Sequence, residues 1–285
     1  MKVRRIKARG LKRAGRVTLA VLAAAFGYVA YIYLTLPDVR TLRTANPGTT
    51  AFMELRAHEA HARGEPVVQD RRWVPYSRIS SNLKRAVIVT EDSAFWQHDG
   101  VDYQQLKESM ETNLERLEFA RGASTITQQL AKNLYLSPSK NPMRKLRELL
   151  ITRRLEAELT KQRILELYLN VIEWGDGVWG AEAAARHYFH KPAAELSPAE
   201  SALLAAAIAN PHVFDPGHPT ARLRRRQQMI MGRMGAVTPP PVIAAQPEVA
   251  PAAPLEVPQL PAAPLILPGS SLPQEKPPKK PGGGG

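Results

Sequence analysis

Hydrophobic positions fall into three regimes along the chain. From Val17 to Leu36 they are continuous, twenty residues without a charge in which only Thr18, Gly27 and Thr35 lie outside the apolar and aromatic set. A helix of that length, at roughly 1.5 Å per residue, spans about 30 Å, the hydrocarbon core of one bilayer. From about Arg72 to Met234 apolar residues recur with the helical period. Leu146, Leu149, Leu150, Leu155 and Leu159 mark one helix; Thr160 is placed to cap the next, in which Ile164, Leu165, Tyr168 and Leu169 continue the stripe. Ser197 with Glu200 forms a capping-box pattern ahead of an Ala- and Leu-rich buried segment reaching Ala209. No strand alternation of comparable length occurs, and Arg72 to Ser77 and Ala86 to Val89 fit either minor strands or helix ends. From Thr238 to Gly285 Pro and Gly interrupt short apolar pieces, a composition that predicts a disordered, partly polyproline tail. The expected organisation is a basic segment 1–16, a transmembrane helix 17–36, a juxtamembrane helix or linker 37–71, a mainly α domain 72–236 and a tail 237–285.

The net charge of +13 suggests nucleic acid until it is located. Lys2, Arg4, Arg5, Lys7, Arg9, Lys12, Arg13 and Arg16 supply eight of those charges, which leaves +5 for everything after Arg16. A basic block ahead of an apolar span is a topology signal, and Tyr28, Tyr31 and Tyr33 toward the far end fit an aromatic belt. The expectation is a single-pass protein of the inner membrane with its N-terminus in the cytoplasm, the rest outside it, and no nucleic-acid partner. Ala23 to Ala25 would suit signal-peptide cleavage, but the apolar run continues eleven residues beyond. The absence of cysteine excludes disulfides, thiolate zinc sites and a Cys nucleophile. The pairs His58/His61 and His187/His190 lack a third ligand at a useful offset, so solvated faces are expected and no metal site.

Candidate chemistry concentrates between Glu91 and Asn170. Glu91 and Asp92 follow the apolar stretch Ala86 to Val89, so two acids sit at the end of a buried segment, where desolvation is costly. A carboxylate in a partly apolar cleft has its pKa raised and suits general-base work; acids facing a helix N-terminus are the structural alternative. Gly122, Ser124, Thr125 and Thr127 open into a helix carrying Gln128, Gln129 and Lys132, either a phosphate-binding helix start or an ordinary cap. Arg144, Lys145 and Arg147 surround Glu148, a solvated ion-pair face or a cradle for an anionic leaving group.

These residues closely resemble the peptidoglycan glycosyltransferases of family 51. Glu91, Asp92, Phe95, His98 and Gly100 meet the first family motif; Gly122, Ser124, Thr125, Gln128 and Gln129 the second; Arg144, Lys145 and Glu148 the third. Lys161, Ile164, Leu165, Glu166, Tyr168, Leu169 and Asn170 meet the fourth, and the likeness continues through Gly180, Tyr188 to Lys191 and Ala209 to Pro211. The resemblance implies a lysozyme-like, two-lobed fold whose smaller lobe dips into the membrane, with a mobile part around Tyr103 to Arg121. It implies polymerisation of lipid II, the undecaprenyl-diphosphate-linked disaccharide pentapeptide, into β-1,4 glycan strands, with lipid II, the growing lipid-linked strand, the membrane and cell-wall synthesis or divisome proteins as partners.

By the same resemblance Glu91 is the general base that takes the acceptor 4-hydroxyl proton, and Asp92, Ser124, Thr125, Gln128, Gln129, Lys132, Arg144 and Lys145 form the donor site around the diphosphate. Glu148 is the second family carboxylate, with three roles open: stabilising the oxocarbenium-like transition state, orienting Arg144 and Lys145, or helping to hold a divalent ion. Mg²⁺ or Mn²⁺ assists some relatives, and no obligatory cofactor is implied. Ser137 to Lys140 spells a transpeptidase Ser-x-x-Lys by letters, yet the matching Lys-Thr-Gly is missing, so a monofunctional enzyme is expected. On residues alone, a lytic lysozyme-like enzyme and a catalytically inactive wall-synthesis scaffold remain alternatives.

Overall fold

The computed structural model describes residues 2–116, 124–138 and 142–235. Gly122, residues 117–121 of the expected mobile part, Lys140 and the tail 237–285 lie outside the described residues. Helix α1 (Lys2–Leu34) contains the stretch Gly15–Leu34, long and apolar enough by length and composition to cross a membrane. Its Leu19, Leu22 and Phe26 are exposed, whereas Ile32 and, just beyond the helix, Leu36 turn into the protein core. The following segment is built into the fold: Val39 and Leu42 join the core, and Arg163 donates to the Leu42 and Ala45 carbonyls, both at 2.9 Å. Helix α2 (Ala51–Arg63) starts on the Thr50 hydroxyl, which accepts from Met53 N, and stops at Gly64, whose φ of 71° is left-handed. His58 and His61 lie on its solvated side.

The two ambiguous segments resolve differently. Ala86 to Val89 lies inside α3 (Ser81–Glu91), and all four residues are buried. A helix covered on most sides has no polar stripe, so its sequence loses the 3.6 period and reads like a strand. Arg72 to Ser77 runs from strand β1 (Asp70–Arg71) through irregular chain into a 3₁₀ turn, Tyr76–Arg78. A small sheet of order β1-β3-β2 forms with β2 (Glu173–Gly175) and β3 (Val178–Trp179); β1 runs parallel and β2 antiparallel to β3.

The remaining helices are α4 (Tyr103–Arg116), α5 (Ile126–Tyr135), α6 (Pro142–Glu158), α7 (Lys161–Val171), α8 (Ala181–Phe189), α9 (Pro198–Ala207) and α10 (Ala221–Met234). Thr160 caps α7, and Ser197 with Glu200 closes a capping box on α9, both at the positions their sequence signals mark. His187 and His190, at the end of α8, are exposed. Two packing groups organise the described residues: α3, α9 and α10 lie together, and α5 packs on α2, α6 and α7. Phe95, Ile126, Leu130 and Tyr168 lie in the core cluster that links them. The fold is mainly α, and the C-terminal end of α3 meets α5 where the two groups join.

Candidate active site

Glu91 is the last residue of α3 and Asp92 its C-cap, whose N–H bonds to the Ile88 carbonyl. The pair therefore occupies the negative end of the α3 dipole, which rules out the helix-N-terminus alternative for their own helix and makes two adjacent carboxylates costly there. The fold compensates from α5. Gln129 Nε2 donates to Glu91 Oε2 at 2.7 Å, and the Tyr168 hydroxyl donates to Gln129 Oε1 at 2.9 Å. Burial pushes the Glu91 carboxyl above its ordinary value; the Gln129 bond and the charges of Arg226 and Lys132 pull the other way, and Asp92 adds to the rise. A carboxyl balanced in this manner suits a general base.

Asp92 is 1% exposed and serves a different end. Its Oδ1 pairs with His98 Nε2 at 2.8 Å and its Oδ2 accepts from Ile126 N at 3.0 Å, so this carboxylate is the anion at the α5 N-terminus. Gly100 N donates to His98 Nδ1 at 3.1 Å, and the Thr125 hydroxyl donates to the Gly100 carbonyl at 2.7 Å. Thr125 and Gln128 close a capping box on each other. Of the two arrangements open for the start of α5, the structure has the capped one: Thr125 and Gln128 bond to each other and Asp92 accepts from Ile126 N. Ser124, just ahead of the cap, is partly exposed.

The cationic wall comes from α5 and α6. Glu148 is 3% exposed and accepts from Arg144 Nη1 at 2.7 Å and from Lys145 Nζ. Lys132 lies within the field of Glu148, Arg144, Lys145 and Glu91; burial lowers its pKa, the two carboxylates raise it and the two cations lower it. Three cations around one carboxylate leave an excess positive charge next to Glu91, suited to a diphosphate.

A divalent ion does not fit that wall, because both Glu148 oxygens already carry a cationic donor. Two other clusters have ligand-like spacing, Asp92/His98/Asp102 and Glu173/Asp176/His212. Both ring nitrogens of His98 are engaged, as given above. Arg56 places Nε 3.1 Å from Glu173 Oε2 and Nη2 2.8 Å from His212 Nε2, so a guanidinium stands where a metal would bind.

Sequence reasoning missed Glu156, which accepts from the Thr127 hydroxyl at 2.5 Å and from Lys161 Nζ at 2.8 Å while Lys161 lies over the Phe95 ring. Its signal in the sequence was faint, an acid directly after Leu155 and one helical turn from Thr152. Arg226, whose charge reaches Glu91 from α10, left no local signal at all.

A family model described as transglycosylase matches residues 58–235. The biosynthetic peptidoglycan transglycosylase of Nitrosomonas eutropha is 48% identical over 219 residues, 77% of this chain and 88% of that relative. The protein of the same name from Dechloromonas aromatica is 47% identical over 195 residues, 68% and 84% of the two chains. That from Aromatoleum aromaticum is 46% identical over 230 residues, 81% and 98%. Together with a mainly helical, lysozyme-like fold that holds a half-buried glutamate beside a cationic wall, these matches make the chain a member of the transglycosylase family.

Proposed function

We propose that the protein is a membrane-anchored peptidoglycan glycosyltransferase that extends β-1,4 glycan strands from lipid II with release of undecaprenyl diphosphate. The observation that carries the reading is the juxtaposition of Glu91, desolvated yet held by Gln129, with Lys132 and the Arg144/Lys145/Glu148 cluster. Glu91 accepts the proton of the acceptor 4-hydroxyl as the oxygen forms its bond to the donor anomeric carbon. The bond from that carbon to the diphosphate oxygen breaks in the same step, and Lys132, Arg144 and Lys145 take up the charge released. One displacement of an α-linked diphosphate inverts the centre and yields the β linkage. A leaving group neutralised by charge needs no strong proton donor, which separates this site from a lytic one. Glu148, clamped between Arg144 and Lys145, serves as their orienting counter-ion.

The division into a basic cytoplasmic segment 1–16, a span 17–36, a juxtamembrane segment 37–71, a catalytic domain 72–236 and a tail 237–285 belongs to the same reading. The basic block before Gly15–Leu34 supports a cytoplasmic N-terminus and a catalytic domain on the far side of the inner membrane.

The experiment is polymerisation of lipid II by the purified full chain and by Glu91→Gln, with product length read by electrophoresis. The substitution keeps shape and removes the base, so turnover falls by about 10² to 10⁴ with fold and donor affinity retained. Near wild-type turnover by a folded Glu91→Gln protein overturns the assignment, and solubilisation of finished wall without strand growth overturns the reaction.

A further inference from the structure

Among the described residues Glu91 meets one side-chain hydrogen-bond donor, the Gln129 carboxamide. A carboxamide is nearly symmetric in shape but not in chemistry, since one end donates and the other accepts. Turned over, Gln129 would present its oxygen to the carboxylate, and two acceptors in contact in a buried site repel. Something must therefore decide which end faces the base. Tyr168 lies on α7, is 0% exposed, and among the described residues its hydroxyl has one hydrogen-bond partner, Gln129 Oε1 at 2.9 Å. A turned amide would offer that hydroxyl an N–H in place of an acceptor and strand its proton in the core.

We propose that Tyr168 is a positioning residue for the base: its hydroxyl fixes the Gln129 carboxamide with the N–H end toward Glu91. The inference rests on the reading of Glu91 as general base and extends it to a residue that does not touch substrate. Other charges around the carboxylate come from every neighbouring element: Asp92 beside it at the end of α3, Lys132 on α5 and Arg226 on α10, with Arg144, Lys145 and Glu148 of α6 beyond Lys132. None of these can replace a directional donor. Burial raises the Glu91 pKa, and the Gln129 bond is the largest influence opposing it. An amide free to turn over would withdraw that opposition part of the time, so a larger share of the base would be protonated and idle.

The test is the pH dependence of lipid II polymerisation by the full chain in detergent micelles, for wild type, Tyr168→Phe, Gln129→Leu and the double variant. Tyr168→Phe keeps the ring and its packing. Its acid limb in kcat/KM moves to higher pH, with a loss of roughly tenfold below the limb that shrinks toward about twofold on the alkaline plateau. Gln129→Leu moves the limb at least as far, and adding Tyr168→Phe to it costs about twofold at most, because the hydroxyl has lost the group it orients. A tenfold loss uniform across pH, or an undiminished loss in the Gln129→Leu background, overturns the proposal. So does an unmoved limb in Gln129→Leu alone, which decides the matter even if Tyr168→Phe does not fold. Glu91→Gln separates the two levels: if it retains turnover, the base reading fails and the positioning role with it. If it is inactive while Tyr168→Phe leaves the acid limb in place, only the positioning role fails.

Discussion

Lys84 shows what single side chains cost in this fold. It lies on α3, almost fully buried, donates to the Tyr76 carbonyl at 3.1 Å and sits 3.9 Å from the Tyr76 ring centroid, with no ion pair to a carboxylate among the described residues. Burial lowers its pKa to about 8, so the folded chain sheds this proton before the unfolded chain does. Below pH 8 both states are protonated and the folded state bears the full desolvation cost. As pH rises from about 8 toward the unfolded value of 10.5, that cost disappears and stability climbs. Tyr76, raised to about 12 by burial, works the other way, and its contribution is lost as pH rises from 10 toward 12. Unfolding free energies from denaturant titrations are accordingly expected to increase by roughly 1–2 kcal/mol between pH 8 and 10, moving the midpoint up, and then to fall. In Lys84→Met the rise should vanish; a midpoint flat across that window in the unaltered protein would contradict the assignment.

Among the elements, the decisive joint is the one between the end of α3 and the start of α5. Asp92 belongs to the first and neutralises the second, His98 holds its other oxygen, and Gly100 adopts φ of 83° with Thr152 Cγ2 only 2.6 Å from where a Cβ would stand. This joint sets the distance from Glu91 to Gln129 and Lys132. Asp92→Asn keeps the volume, but an amide N–H must then face either Ile126 N–H or the His98 ring, and a buried donor is left without an acceptor. We expect a loss of about 1–3 kcal/mol in stability and a fall in polymerisation larger than stability explains, measured by denaturation and turnover on the same preparation. Turnover that merely tracks the folded fraction would assign the joint to stability alone.

Across the whole molecule, α6 joins the cationic wall to the end of the apolar helix α1. Its N-terminal half carries Arg144, Lys145 and Glu148, and among them Arg147, which donates to the Thr35 hydroxyl at 2.9 Å; further along, Arg154 donates to the Tyr33 carbonyl at 3.1 Å. Arg154 also reaches the Leu36 and Pro37 carbonyls, both at 3.4 Å, and lies over the Tyr33 ring. The Arg154 cation on the last carbonyls of α1 complements its dipole and holds the end of the candidate span against the helix of the cationic wall. Arg154→Ala should leave secondary structure unchanged and speed tryptic cleavage at Arg40 and Arg43 by something like fivefold to tenfold, the effect of losing about 1 kcal/mol of local stability. Unchanged cleavage would show that core packing of Ile32, Leu36 and Val39 suffices.

The apolar run, the helical period from Leu146 to Leu169 and the caps at Thr160 and Ser197 were legible in the chain because each depends on neighbours within one or two turns. Glu91, Lys132, Arg144, Lys145 and Glu148 stood out as candidates through the family motifs and the helix that carries Lys132, whereas the residues alone left each open between a site and a cap or solvated ion-pair face. What those residues face was not legible. The choice between an anion site and an ordinary cap at the start of α5 stayed open in the sequence because the carboxylate that meets Ile126 N, Asp92, lies 34 residues upstream, and Ala86 to Val89 looked ambiguous because that part of α3 is covered by α9 and α10. The hydrogen-bond chain from Tyr168 through Gln129 to Glu91 joins three helices, as does the approach of Arg226 to the same carboxylate. Local sequence determines which helices form, because propensity and capping act over a few residues. Only packing decides which buried donor meets which carboxylate, because desolvation and hydrogen bonding depend on neighbours brought together from distant parts of the chain.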